Sequence, residues 1–147
     1  MGVVADIFRQ TLSVADEETA ADWLRRNFYT HDGRAFAEQS CPWVTAPQGP
    51  CWAYDSIQFR TIWLQWAARM FKTNFGLAML MRGMDLRPEE TMFATPDETN
   101  CKGVFGRFWK MLENCPRLQD QVPIQQRQSK TRIQLRRSVC HGAWPRG

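Results

Sequence analysis

The sequence holds no C-x-x-C pair. Its five cysteines, Cys41, Cys51, Cys101, Cys115 and Cys140, stand far apart, and neither His31 nor His141 lies at zinc-ligand spacing from them. That excludes a zinc finger or ribbon, and an odd count without a secretory leader fits reduced thiols in a cytosol-like compartment. Long hydrophobic runs are also missing. The longest, "FGLAMLM" from Phe75 to Met81, falls far short of the ~20 residues that cross a bilayer as a helix. The opening "MGVVADIF" has neither the charged start nor the apolar core of a signal peptide, and Asp6 stands where a myristoylation motif needs Ser or Thr. A soluble intracellular chain without a membrane partner is the expectation. Glycine is absent between Gly49 and Gly76, so no residue there takes left-handed backbone freely. Acidic residues stop at Asp120, and beyond it come Arg127, Lys130, Arg132, Arg136, Arg137 and Arg146. Such a tail fits two readings, a solvated basic edge or a contact with nucleic-acid phosphates.

What remains is enough for a folded core. The 147 residues suit one domain or a piece of a larger one, and 44% hydrophobic with 23% charged residues argues against disorder. "DEETAADWLRRNF", Asp16 to Phe28, carries acids at its head and arginines at its tail, as a helix dipole favours, and Trp23, Leu24 and Phe28 form one apolar stripe. Asp32-Gly33 signals a turn. "CPWVTAPQGP", Cys41 to Pro50, reads as a loop by its three prolines and one glycine. Trp43, Trp52 and Tyr54 crowd there, either as packing or as a stacking surface for a base. Ile57 to Gln65 is rich in β-branched and aromatic residues and predicts a strand. Thr73 to about Met84 predicts a helix, apolar most of the way round and therefore buried. Thr91 to Thr95 predicts a short strand. Thr95 then caps a helix with Pro96 in its first position and Glu98 completing a capping box, and that helix ends at about Asn114, before Pro116. "TRIQL" and "SVCHGAW" predict two more strands. The order strand, helix, strand, helix, strand implies an α/β fold with a parallel sheet and right-handed crossovers.

The run "IWLQWAARMFKTNFGLAMLM", Ile62 to Met81, holds the main candidate for chemistry. A β-favouring stretch stops, Lys72-Thr73 appears, and a helical pattern begins at once. A phosphate-binding loop needs converging backbone amides, a lysine for the β- and γ-oxygens, and a hydroxyl for magnesium. Lys72 and Thr73 supply the last two at the head of a helix. The two glycine positions, however, hold Trp66 and Phe71. At Phe71 a left-handed backbone costs about 1 kcal/mol or more. The turn alone fits a nucleotide site or an ordinary strand-to-helix junction.

Its context is more specific. "IWLQWAARMFKTNFGLAMLMRGMD", then "PEETMFATPDETN" and "RFWKMLENCPRL", resemble the large subunit of tailed-phage DNA-packaging terminases, in particular the lambda-like (GpA-type) branch. The upstream "RNFYTHDGRAF…CPW" and the terminal "HGAWPRG" are similar to that family too, so the likeness spans roughly residues 20 to 147 in order. It implies a P-loop NTPase-like three-layer sandwich with a mainly parallel sheet, incomplete and preceded by a helical segment. The segment and its Pro-rich loop cover 1–50, and the partial ATPase domain covers 51–147. It implies ATP and Mg2+ as cofactors. Ala67, Ala68, Arg69, Met70 and Phe71 become the loop around the triphosphate, Lys72 the phosphate lysine and Thr73 the magnesium hydroxyl. Arg69 becomes the basic residue near the γ-phosphate, or else stays a surface arginine. The implied partners are double-stranded DNA, the terminase small subunit and the portal of the procapsid, in the host cytoplasm. The family also uses an apolar strand ending in Asp-Glu, one acid for the metal and one to activate water, and a nuclease domain. Neither is found in the sequence, which reads as an N-terminal fragment, a truncated frame or one chain of a split machine. The alternative from another class is a small basic nucleic-acid module using Arg127, Lys130, Arg132, Arg136 and Arg137. With the sheet cut short, "SVCHGAW" and its neighbours are expected to expose apolar edge and to drive self-association.

Overall fold

The computed structural model describes residues 18–56, 61–67, 69–87, 90–121, 131–136 and 138–145. Helix α1, Ala20–Asn27, begins where Thr19 accepts a hydrogen bond from the Asp22 amide at 3.2 Å, and it carries Asp22 in its first turn and Arg25 and Arg26 in its last. Those placements satisfy an orphan amide and both ends of the helix dipole. Trp23 and Leu24 are fully buried, and Phe28, the capping residue, is 1% exposed. The expected turn follows. Gly33 takes φ 79°, the Thr30 amide donates to Arg34 O at 2.8 Å, and Tyr29 bridges to Ala35 in antiparallel fashion.

The proline-rich stretch is a loop only in part: a turn over 46–49, with Gln48 at φ 60°, separates two short helices. A 3₁₀ turn, Glu38–Ser40, leads to α2, Pro42–Thr45, and α3, Pro50–Asp55, with proline in the first turn of both helices. Proline fixes φ near −65° and its missing N–H would be unpaired at a helix start anyway, so here it opens helices where the composition suggests loop. The expected strand Ile57–Gln65 fails in its described half. Residues 61–67 join no sheet, and Trp63 is 90% exposed. Aromatic and branched side chains favour a strand only against a partner and a core face.

Helix α4, Lys72–Leu86, and helix α5, Glu98–Asn114, form the bulk of the core. Residues Phe75, Leu77, Ala78, Met79, Met81, Arg82 and Met84 are all buried, so α4 is covered on most sides, as its composition predicts. In α5, Cys101, Val104, Phe105, Phe108, Met111 and Leu112 make one buried stripe. Its cap is Asp97, which accepts from the Asn100 amide at 2.8 Å, two residues beyond the expected Thr95. The Thr95 hydroxyl instead donates to Asp97 O at 2.8 Å.

Three strands complete the fold: β1, Glu90–Ala94, β2, Arg132–Gln134, and β3, Val139–Ala143, in the order β1-β3-β2. β1 and β3 are parallel, joined through α5, whereas β2 and β3 are antiparallel. The sheet is therefore mixed, because the residues between β2 and β3 are too few for a crossover. The expectation for "SVCHGAW" and its neighbours holds in part. β3 itself is the central strand with Cys140 fully buried, whereas its neighbour β1 lies at the edge of the sheet with Met92 67% exposed. Gly142 lets α5 approach this strand. A Cβ there would clash with Cys101 Sγ and lie 2.9 Å from Phe105 Cε2.

A polar network ties the N-terminal helix to α4. The indole of Trp23 donates to Asp85 Oδ2 at 2.8 Å, and Asp85 also pairs with Arg117 at 2.9 Å. Arg82, 5% exposed, pairs with Asp55 at 3.1 Å, donates to Glu18 O at 2.6 Å, and lies 5.5 Å from the centroid of the Tyr54 ring. Asp55 accepts in turn from the Ala20 amide at 2.7 Å. All five cysteines are free thiols, and burial pushes Cys51 up to about 12. It therefore stays a thiol at neutral pH and offers no thiolate nucleophile. Among the described residues no helix is long and apolar enough to cross a membrane.

Candidate functional site

The Lys-Thr junction folds into a strained turn at the head of α4. Arg69 takes φ 63° and Phe71 φ 67°, both left-handed, while Met70 between them is not. Such alternation turns successive amides toward one side and builds an anion-binding concavity. Phe71 is the N-cap of α4 at φ 67° and ψ 4°, and it contributes no side-chain cap. The first amides of the helix thus lack the usual carboxylate or hydroxyl partner and keep the positive end of the dipole open.

An aromatic residue is held in this conformation by other rings. Phe71 meets Phe28 edge-on with centroids 5.5 Å apart, and Phe36 at 5.5 Å in a tilted contact. Each such pair contributes about 0.5–1.5 kcal/mol, against about 1–2 kcal/mol for one left-handed non-glycine residue. The two contacts offset the strain. Phe71→Gly therefore destabilises the protein by about 1–2 kcal/mol although it relieves the backbone, since ring packing is lost and the unfolded chain gains freedom. Thermal unfolding of the variant checks the sign: a raised midpoint would show that the strain outweighs the packing.

The turn opens on a cleft of about 200 Å³ lined by Arg69, Met70, Phe71, Lys72, Thr73, Asn74 and Arg107. Three of the seven are cations and none is a carboxylate. Lys72 Nζ donates to Trp66 O at 2.7 Å, which ties the two ends of the loop together. Of the residues expected at the site, Arg69, Met70, Phe71, Lys72 and Thr73 meet here. Ala67 is exposed and lies off the cleft wall, and Ala68 is outside the described residues. Trp66 stands with its ring 5.9 Å from Phe75.

No family model, curated protein or solved structure matches the chain.

Asn74 and Arg107 were not legible as site residues. Asn74 simply follows Thr73, but Arg107 arrives from α5, and only the tertiary fold brings it beside Lys72. Arg69, Lys72 and Arg107 line the cleft together with Thr73 at the head of α4, a donor set of the kind that suits a phosphate group, and a hydroxyl such as that of Thr73 would be the group to hold a phosphate-bound magnesium ion. Among the described residues no group of three or more His, Cys, Asp or Glu gathers as a metal cage, so such an ion would rely chiefly on the phosphates themselves. The volume matters as well. Sites that enclose whole small ligands run to roughly 300–1,000 Å³, so a cleft of about 200 Å³ is too small to enclose one.

The basic tail offers less. Arg127, Lys130, Arg137 and Arg146 lie outside the described residues. Arg132 is exposed at the start of β2, with its guanidinium 3.3 Å from Gln134 Oε1, and Arg136 is exposed. The candidate stacking surface is split. Trp43 is half-buried against the core, Tyr54 donates to Met79 O at 3.3 Å, and Trp52 is 47% exposed.

Proposed function

We propose that this chain is the nucleotide-binding N-terminal portion of a phage-type DNA-packaging terminase large subunit. The observation that carries the reading is the cleft at the head of α4. Lys72, Thr73 and two left-handed loop residues face a concavity with three cations and no carboxylate. The ordered likeness of the surrounding segments to terminases supplies the biological frame. On this reading the small mixed sheet is part of a larger P-loop NTPase-like sandwich, and the ligand is ATP with Mg2+.

In that frame Lys72 neutralises the phosphate chain, Thr73 orients its magnesium, and Arg69 stands beside the terminal phosphate. The acid that polarises water in such motors has no counterpart on the cleft wall, so binding rather than turnover is the activity assigned to these residues. Double-stranded DNA, a small subunit and a procapsid portal are the partners that the reading implies, acting in the host cytoplasm.

Titration of the chain with Mg-ATP tests it. Replacing Lys72 with Ala lowers affinity at least about tenfold, the usual scale for losing one charge-assisted contact to phosphate. Equal binding by wild type and Lys72→Ala, with both folded by circular dichroism, would remove the nucleotide reading.

A further inference from the structure

Arg107 is the cleft residue that the loop motif does not account for. It is exposed on α5, next to the fully buried Phe108 and two residues beyond the fully buried Phe105. Phe105 packs close to β3 at Gly142, where the missing Cβ admits it. The helix is thus seated on the sheet, and the position of Arg107 is set by the core rather than by a mobile loop. Among the described residues no carboxylate pairs with Arg107, and none lines the cleft.

We infer that Arg107 is a third phosphate contact, delivered from α5, that makes the cleft selective for a polyphosphate chain over a single phosphate. This rests on the reading of the cleft as a nucleotide site. A monophosphate, at about −2 near neutral pH, is matched by Lys72 and the helix amides alone. Three cations about one concavity are matched only by a ligand with several linked phosphates. The third cation also stands on a separate element, so a chain that reaches it spans from the head of α4 to α5. A guanidinium suits this role because its planar fork binds two phosphate oxygens at once.

Phosphates of a nucleic-acid backbone share this chemistry. Duplex DNA presents its charges along an extended rod, however, whereas these three residues line one cleft of about 200 Å³. The triphosphate is the occupant we assign, and duplex DNA becomes an arm of the test.

The experiment titrates the full chain with ATP, ADP, AMP and a short duplex DNA, using wild type, Arg107→Ala, Arg107→Lys and Lys72→Ala. Thermal unfolding controls for folding, and Arg107 is exposed, so its variants should keep the wild-type midpoint. Arg107→Ala is expected to lose about tenfold in ATP affinity and less than about twofold for AMP, with Arg107→Lys recovering part of the loss. The measured ATP-to-AMP ratio is the readout that a merely structural role would not move. If Arg107→Ala binds every nucleotide as wild type does while Lys72→Ala fails, the third contact is wrong and the nucleotide site stands. An equal loss for ATP and AMP overturns the selectivity. If DNA, and not ATP, responds to Arg107, the occupant is wrong. If wild type and Lys72→Ala bind ATP equally, or neither binds, the site reading falls and takes this inference with it.

Discussion

Replacing Trp23 with Ala destabilises the protein by about 3–5 kcal/mol, the usual cost of emptying a large buried aromatic site. Trp23 is fully buried in α1, against a core shared with α4 and α5. Truncation leaves a cavity and removes the donor that Asp85 Oδ2 holds at 2.8 Å. Asp85 keeps Arg117 at 2.9 Å, so its charge remains compensated and the packing loss dominates. Because domains are marginal at about 5–15 kcal/mol, this one change consumes a large share of the total. For a chain of this size the melting temperature should fall by about 10 °C or more. Trp23→Phe refills most of the volume, so it isolates the hydrogen bond and should cost about 1–2 kcal/mol. Thermal and denaturant unfolding of the pair decide the split. Equal losses would mean that the indole hydrogen bond, rather than packing, holds α1.

Removing the carboxylate of Asp55 costs about 2–3 kcal/mol, below the range for a fully buried ion pair because Arg82 is buried but Asp55 itself is exposed. Arg82 is 6% exposed in its side chain and Asp55 27%, so water screens the pair from the Asp55 side only. Without Asp55 the guanidinium keeps Glu18 O and the face of Tyr54, neither of which carries full negative charge. Asp55→Ala also strips the acceptor from the Ala20 amide at 2.7 Å. Asp55→Asn retains an acceptor there and should cost less, about 1–2 kcal/mol. The decisive comparison is the double variant Asp55→Ala with Arg82→Met. It should be more stable than Asp55→Ala alone, because the lone buried charge is gone. Additive losses in urea unfolding would show that Arg82 is not stranded in the single variant.

Sequence pattern and fold agree best where the determinants are local. α1, α4 and α5 follow from apolar spacing and charged ends, and Asp32-Gly33 makes its turn because only the two flanking residues matter. β1 and β3 were legible as apolar runs, and the expected parallel pairing holds between them but not for β2. Antiparallel β2 depends on how few residues separate it from β3, and the alternation of strands and helices along the sequence hides that. The stretch after Ile57 shows the limit of β-propensity. Trp63 and its neighbours favour a pleated surface, yet in residues 61–67 no ladder forms to use it. Proline misled in the opposite direction at Pro42 and Pro50, where a residue that ends helices begins them. The site divides in the same way. Lys72 and Thr73 were readable because their chemistry needs only adjacency at a helix start. Arg107 was not, since no spacing along the chain records which exposed residue of α5 the packing of Phe105 and Phe108 aims at the loop.

The ring cluster around Phe71 carries a wider implication. In a glycine-bearing loop the backbone bends by itself, and whatever precedes it is dispensable to its shape. Here the bend is clamped from outside by Phe28, at the exit of α1, and by Phe36, beyond the Asp32-Gly33 turn. The geometry of the turn at the head of α4 is therefore delegated to a distant stretch of chain. Whatever pries that stretch loose also slackens this turn, which makes α1 a natural handle on the cleft from afar.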